Sequence, residues 1–124
     1  MTSILNNSRR PDITVNISGR IDITSRIVKL LNMQAGDVVD VCQHGVEYFL
    51  YVRRTSQEIV GRHEGLCFPT SRGGRGSYRT WSVRLAKALR DVCGKEDYIV
   101  RFPCGEAQVI DEKIYVPIIV RNPL

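Results

Sequence analysis

Cationic side chains are the residues of this chain whose number and spacing best suit a chemical role. Residues 54–90 carry eight arginines and lysines against two glutamates, whereas the whole chain of 124 residues has a net charge of +5. The rest of the chain therefore sums to −1. A positive surplus confined to one contiguous third predicts a local cationic surface, and its natural partners are polyanions, with nucleic acid first.

Two short amphipathic segments place basic residues at helical spacing. Thr24 or Ser25 can cap the first helix and Ser82 the second, and each helix has one apolar face. The flanks of the helices carry four cations: Arg26, Lys29, Arg84 and Lys87. We predict that these side chains contact phosphates, with a merely solvated helix face as the alternative. Binding by several phosphate contacts predicts an affinity that falls steeply with salt.

A glycine-rich run at residues 70–77 supplies a second group of candidates. It contains Arg72 and Arg75, and it precedes Tyr78 and Trp81. Glycine lets the backbone approach a phosphate, arginine pairs with it, and aromatic rings can stack on exposed bases. A plain surface loop is the alternative. Trp81 aligns with the strand residue Ile23, which favours core packing over a stacking platform.

The two amphipathic segments are similar at a constant offset of 58 residues. Arg26 then falls on Arg84, and Lys29 falls on Lys87. A strand-like run follows each copy, at residues 38–41 and 98–102. The similarity predicts a pseudo-symmetric domain built from two related halves.

Alternation of polar and apolar residues predicts mostly strands between these helices. Hairpins are expected over residues 12–23 and 38–52, and further strands over 78–81, 98–102, 108–110 and 113–120. The predicted fold class is α+β and strand-dominated, with two hairpin–short helix–hairpin halves that form a swapped-hairpin-like barrel. The predicted organisation is a flexible tail at 1–11, a first repeat at 12–53, a basic connecting segment at 54–76, and a degenerate second repeat at 77–124.

The run from Gly19 to Val41, with its Gly-Arg step, alternating strand, short helix and Gly36-Asp37 turn, resembles the AbrB/SpoVT-type swapped-hairpin DNA-binding domain family. The two-copy chain is similar to the tandem, MraZ-like arrangement of that family. The resemblance implies interleaved hairpins, transcription regulation and duplex DNA as the partner. It also implies DNA contacts by Arg20 and Lys29 and, through the repeat, by Arg79 and Lys87.

The sequence departs from the family pattern at several positions. Thr24 stands where the family has proline, and Val28 replaces the first of its two basic helix residues. In the second copy the Gly-Arg step becomes Gly76-Ser77-Tyr78-Arg79, and Lys95 replaces the aspartate.

Two other functions fit the same pattern. One is a structural or assembly protein of a phage or mobile element, whose strands at 48–52 and 113–120 form the interfaces of a homo-oligomer. The other is a single-stranded nucleic-acid binder that uses Tyr78, Trp81 and the Arg-Gly loop.

Enzymatic, membrane and cofactor roles have little support in the sequence. No run approaches the length of apolar chain that spans a bilayer, and the first residues do not resemble a secretory signal, so a cytoplasmic location is expected. The four cysteines form no Cys-x-x-Cys pair, and we expect reduced apolar thiols. A zinc site made of Cys42, His44, His63 and Cys67 is the weaker alternative. We predict no cofactor, no small-molecule substrate and no catalytic site.

Overall fold

The computed structural model describes residues 11–54, 64–70 and 76–121. This part of the chain forms two sheets and two helices, so the predicted α+β, strand-dominated class is confirmed. The helices are α1 (Ser25–Leu30) and α2 (Val83–Cys93). The strands are β1 (Ile13–Asn16), β2 (Arg20–Ile23), β3 (Val38–His44), β4 (Glu47–Arg53), β5 (Phe68–Pro69), β6 (Tyr78–Trp81), β7 (Ile99–Phe102), β8 (Gln108–Ile110) and β9 (Lys113–Ile118).

The first sheet has five strands in the order β5-β6-β2-β1-β7. Its β1–β2 hairpin confirms the alternation in the sequence, because Ile13 and Val15 are buried while Thr14 and Asn16 are partly exposed. The hairpin turns at Gly19, whose φ of 102° is a conformation that glycine adopts without strain. A Cβ at this position would lie 2.9 Å from Cγ2 of Val83, so the lack of a side chain at Gly19 also leaves space for the start of α2.

The second sheet has four strands in the order β3-β4-β9-β8. The predicted β3–β4 hairpin is confirmed, with His44 opposite Glu47 at its turn. The β8–β9 hairpin turns at Asp111 and Glu112, with φ values of 50° and 67°. Two successive positive φ angles match the twist of a tight hairpin, and aspartate tolerates that conformation well.

Each sheet combines strands from the first half of the sequence with strands from the second half. β1 pairs with β7, β2 with β6, and β4 with β9, all antiparallel. At the edge of β3, Val38 bridges Leu66, and the N–H of Val39 donates to the oxygen of Gly65. A second bridge joins Cys104 to Ile118. Isolated bridges thus tie the four-stranded sheet to segments next to the five-stranded sheet, and the described residues form no closed barrel, so this part of the predicted fold is unconfirmed.

The helices begin at opposite ends of the β2–β6 ladder. Ile23 pairs with Tyr78 and leads into α1, whereas Trp81 pairs with Arg20 and leads into α2. Ser82 caps α2 as predicted, because its Oγ accepts from the N–H of Leu85 at 3.1 Å. The N-cap of α1 is Thr24, whose side chain makes no capping hydrogen bond. α2 ends at Gly94 in the left-handed conformation, which is a common helix stop.

The offset of 58 residues holds at the helix caps but not in the strands. It would superpose Arg20, which points away from the core, on Tyr78, which packs against the core. The second copy has five residues between Gly76 and its cap Ser82, one more than the first copy has between Gly19 and Thr24. Alignment from the glycines therefore sets Ser77 against Arg20 and Arg79 against Asp22.

The core lies between the two sheets and the buried sides of both helices. Its fully buried side chains come from both sheets and both helices and include Phe102, Ile21, Ile27, Leu50 and Leu89. No helix in the described ranges has the length and apolar character needed to cross a membrane. The predicted tail at 1–11 falls almost wholly outside the described residues, and β5 lies in the predicted connecting segment.

Candidate nucleic-acid interface

The side of the five-stranded sheet that points away from the core carries a polar, cationic and aromatic surface, which we call the sheet face. Strand alternation assigns its residues, since their neighbours Val15, Ile21, Thr80 and Val100 are at most 1% exposed. One row crosses all five strands through directly paired residues: Phe68, Arg79, Asp22, Thr14 and Arg101. A second row contains the pairs Trp81–Arg20 and Asn16–Ile99.

Asp22 lies between two arginines on this face. The Nε of Arg79 donates to Oδ1 of Asp22 at 2.6 Å, and the Nε of Arg20 lies 3.3 Å from Oδ2. The three side chains keep 29–43% of their surface exposed. Arg101 makes no ion pair within the described ranges. Three arginines against one aspartate leave the sheet face positively charged.

Two aromatic side chains protrude from the same face. Trp81 is 57% exposed and Phe68 is 53% exposed. The expectation that Trp81 packs in the core is wrong, because its pairing with Arg20 turns it toward solvent and leaves the buried position to Thr80. Tyr78, which with Trp81 was a candidate for stacking on bases, instead packs against the core.

Arg26 on α1 is held in an internal ion pair. Its guanidinium donates to both carboxylate oxygens of Asp12, at 3.1 and 2.8 Å, and to the carbonyl of Cys104 at 3.0 Å. These hydrogen bonds to Asp12 raise the pKa of Arg26, although its partial burial acts in the opposite direction. Asp12 is buried, so this arginine fastens α1 to the ends of β1 and β7 and is committed to the fold.

The cations on α2 also have carboxylate partners. Arg84 pairs with Glu64 at 3.1 Å, and Lys87 pairs with Asp91 at 2.7 Å one turn along the helix. Glu64 also accepts from Ser82 Oγ at 2.6 Å, and the hydrogen bonds from Ser82 and Arg84 lower the pKa of the Glu64 carboxyl. Lys29 is exposed and has no ion pair in the described part of the chain.

The predicted contact residues therefore divide into three groups. Arg20 and Arg79 come together on the sheet face, while the helix cations are distributed over two helices that begin at opposite ends of a ladder. Arg72 and Arg75 lie outside the described residues. Phe68 and Arg101 also lie on the sheet face, and neither was predicted from the sequence. Alternation around the buried Val100 and Phe102 was a signal for Arg101, but Phe68 sits in a two-residue strand without a periodic pattern.

A cleft of about 680 Å³ separates α2 from β3 and β4. Its apolar wall includes Leu85, Ala88 and Val92 of the helix. The charged side chains that line it pair with one another as Asp40–Arg53 and Glu64–Arg84. The described residues that line the cleft consequently present no unpaired charge to a ligand.

The two buried thiols, Cys67 and Cys104, lack the features of reactive or metal-binding groups. All four cysteines are free, and burial raises the pKa of both Cys67 and Cys104 to about 12. A protonated, buried thiol is a poor nucleophile and a poor ligand. In the described ranges no group of three or more histidine, cysteine, aspartate or glutamate residues could hold a metal ion, and His63 of the alternative zinc set lies outside them.

Comparison of the chain with protein-family models, curated proteins and solved structures finds no match. Its function must therefore be argued from the geometry of its own surface.

Proposed function

We propose that the protein binds nucleic acid through the sheet face. The observation that carries this proposal is the co-location of Arg20, Arg79 and Arg101 with the exposed rings of Trp81 and Phe68 on one side of a sheet. Arginine is well suited to phosphate because its planar guanidinium presents several donors in a fixed geometry. Asp22, the one carboxylate among the described residues of the face, partly neutralises the arginines and would be displaced by phosphate.

Strand exchange supports the resemblance to tandem swapped-hairpin domains. In such a domain each half contributes strands to sheets that it shares with the other half. The pairs β1–β7 and β4–β9 follow this scheme, and so does the bridge between Val38 and Leu66. On this proposal the chain is a single-polypeptide version of an interleaved dimer.

Duplex DNA is the ligand that the resemblance implies, through the basic residues of paired short helices. This mode has weaker support than the sheet face. Arg26 is engaged with the buried Asp12, and Arg84 and Lys87 have carboxylate partners of their own. Lys29 is the helix cation best able to contribute to it.

An assembly role through β4 and β9 has no specific support. Each of these strands has a neighbour on both sides in the four-stranded sheet, and Tyr48–Leu50 of β4 pairs with Val116–Ile118 of β9, so much of their backbone edge in the described residues is already used within the chain.

Binding of labelled single-stranded and duplex oligonucleotides, followed by fluorescence anisotropy over a series of salt concentrations, tests the proposal. The double variant Arg20→Ala/Arg79→Ala should lose affinity for whichever form binds. Its log–log salt dependence should become shallower by about 1.4 for single strands or about 1.8 for duplex, as expected for two lost phosphate contacts.

Lys113→Ala/Arg121→Ala is the matched control, since it removes the same charge on and just beyond β9 in the other sheet. Equal losses in the two double variants would mean that net charge alone drives binding. Absence of binding to every probe would refute the proposed function.

A further inference from the structure

Each exposed aromatic on the sheet face has an arginine as its direct cross-strand partner. Trp81 is paired with Arg20 across β6 and β2, and Phe68 is paired with Arg79 across β5 and β6. Directly opposed residues of an antiparallel pair have Cβ atoms about 4.5–5.5 Å apart, so each ring and its guanidinium occupy neighbouring positions on the surface.

The two aromatic–arginine pairs are themselves neighbours. Arg79 and Trp81 belong to the same face of β6, so Phe68 and Trp81 are diagonal neighbours across β5 and β6, about 7–8 Å apart. Isolated exposed apolar side chains are common on protein surfaces. Here, two large exposed rings adjoin each other and both adjoin cations.

We propose that the ligand of the sheet face is single-stranded nucleic acid, with one base stacked on Trp81 and another on Phe68. Arg20 and Arg79 then take the phosphates beside those bases. This inference rests on the proposed function and specifies its substrate class. Aromatic side chains on an open sheet can stack on unpaired bases, whereas the base faces inside a duplex are covered by their neighbours. Charge complementarity comes from the three arginines that outnumber Asp22 on the face.

The intrinsic fluorescence of Trp81 gives a direct test, because it is the chain's only tryptophan. Mixed-sequence single-stranded DNA and RNA of one length should quench this fluorescence on titration, and a duplex of the same sequence should leave it little changed. The DNA and RNA probes reveal which sugar the site prefers, and quenching by either one supports the inference.

Substitutions then assign the contacts, with anisotropy of a labelled single strand as the readout. Trp81→Ala and Phe68→Ala should each weaken binding by about 5- to 150-fold, the range observed when a stacking ring is removed. Trp81→Phe keeps a ring and should restore most of the affinity. The fold loss of affinity in Trp81→Ala should persist at high salt, whereas the fold loss of affinity in Arg20→Ala/Arg79→Ala should become smaller as salt is raised. Circular dichroism of each variant checks that the exposed side chains are dispensable for folding.

Failure of this inference is distinguishable from failure of the proposed function. Duplex binding that depends on Arg20 and Arg79 but is unaffected by Trp81→Ala would overturn base stacking and keep the sheet face as the binding surface. Binding that is unchanged by substitution of Arg20, Arg79, Phe68 and Trp81 would overturn both the stacking inference and the sheet face as the binding surface.

Discussion

Asp22 and Arg79 face each other across the β2–β6 ladder, with the Nε of Arg79 2.6 Å from Oδ1 of Asp22. Alignment of the two predicted repeats from Gly19 and Gly76 would make these residues counterparts as well as partners. Their pair therefore sits at the centre of the antiparallel ladder that joins the two halves. It also sits in the middle of the proposed binding surface, where the carboxylate would compete with a bound phosphate for two guanidinium groups.

Removal of this competing charge should strengthen nucleic-acid binding. Asp22→Asn keeps the size of the side chain while it releases Arg20 and Arg79, and an exposed ion pair is worth about 0.2–1 kcal/mol. We expect affinity to rise about fivefold at low salt and by less at high salt, as measured by anisotropy. Asp111→Asn, in the β8–β9 turn, makes the same change in net charge away from the sheet face. An equal gain in both variants would contradict the competition.

The internal ion pair of Asp12 should matter far more for stability than the exposed ones. Asp12 accepts from Arg26, from Thr24 Oγ1 and from the N–H of Cys104, so its loss leaves several donors without an acceptor. Asp12→Ala should lower the free energy of unfolding by about 3 kcal/mol. Asp91→Ala, which breaks only the exposed pair with Lys87, should change it by about 0.5 kcal/mol or less. Urea denaturation of the two variants measures the contrast, and similar midpoints would refute it.

Much of this fold follows from local sequence patterns. Strict alternation located β1, β2 and β7, and Ser82 and Gly94 mark the two ends of α2. Global pairing was harder to predict, because the choice between partners within a half and partners across halves depends on long-range packing. The role of Arg26 shows the same limit. Its spacing from Lys29 is typical of a solvent-exposed helix flank. No local sequence signal indicates that Asp12 and Cys104, which are distant in the sequence, contact Arg26.

The site was only partly predictable for a related reason. Arg20 and Arg79 were predicted from charge and from the family resemblance. The side of the sheet on which a residue lies, however, depends on the pairing register of its strand. The extra residue in the second copy shifts the strand by one position relative to the repeat, which reverses the side of every residue in it. That shift accounts for the misplacement of Trp81.

Two of the four thiols should resist modification in the native protein. Burial raises the pKa of Cys67 and Cys104 to about 12, so near neutral pH they are protonated as well as shielded. Cys42 and Cys93 are only half-buried. A colorimetric thiol reagent at pH 8 should react first with these two, and with all four once denaturant is added. Rapid reaction of four thiols without denaturant would contradict the packing around Cys67.

The interaction of Glu64 with Ser82 and Arg84 should make a small, acid-sensitive contribution to stability. The pKa of this carboxyl is lower in the folded protein than its ordinary value of 4.5, so its contribution is present above that pH and is lost as the pH falls through the folded-state value. Because the pair is largely exposed, we expect about 0.5 kcal/mol or less.

Chemical denaturation of the wild type and Glu64→Gln at pH 7 and at pH 3 measures this contribution. The difference between the two proteins should be found at pH 7 and should be nearly absent at pH 3. A difference that grows toward pH 3 would contradict the direction of the pKa shift.

The exchange of strands has a consequence for how the chain acquires its structure during synthesis. β1 pairs with β7, and β4 pairs with β9. When only the first fifty or so residues have emerged from the ribosome, the outer edges of the two N-terminal hairpins therefore lack their partner strands. The backbone groups on those edges find their partners only when residues 99–118 emerge. Until then, the exposed strands of two nascent chains on one messenger RNA can pair with each other instead. Polysomes and truncated products should therefore yield intertwined dimers, a hazard that a chain with independently closed halves would avoid.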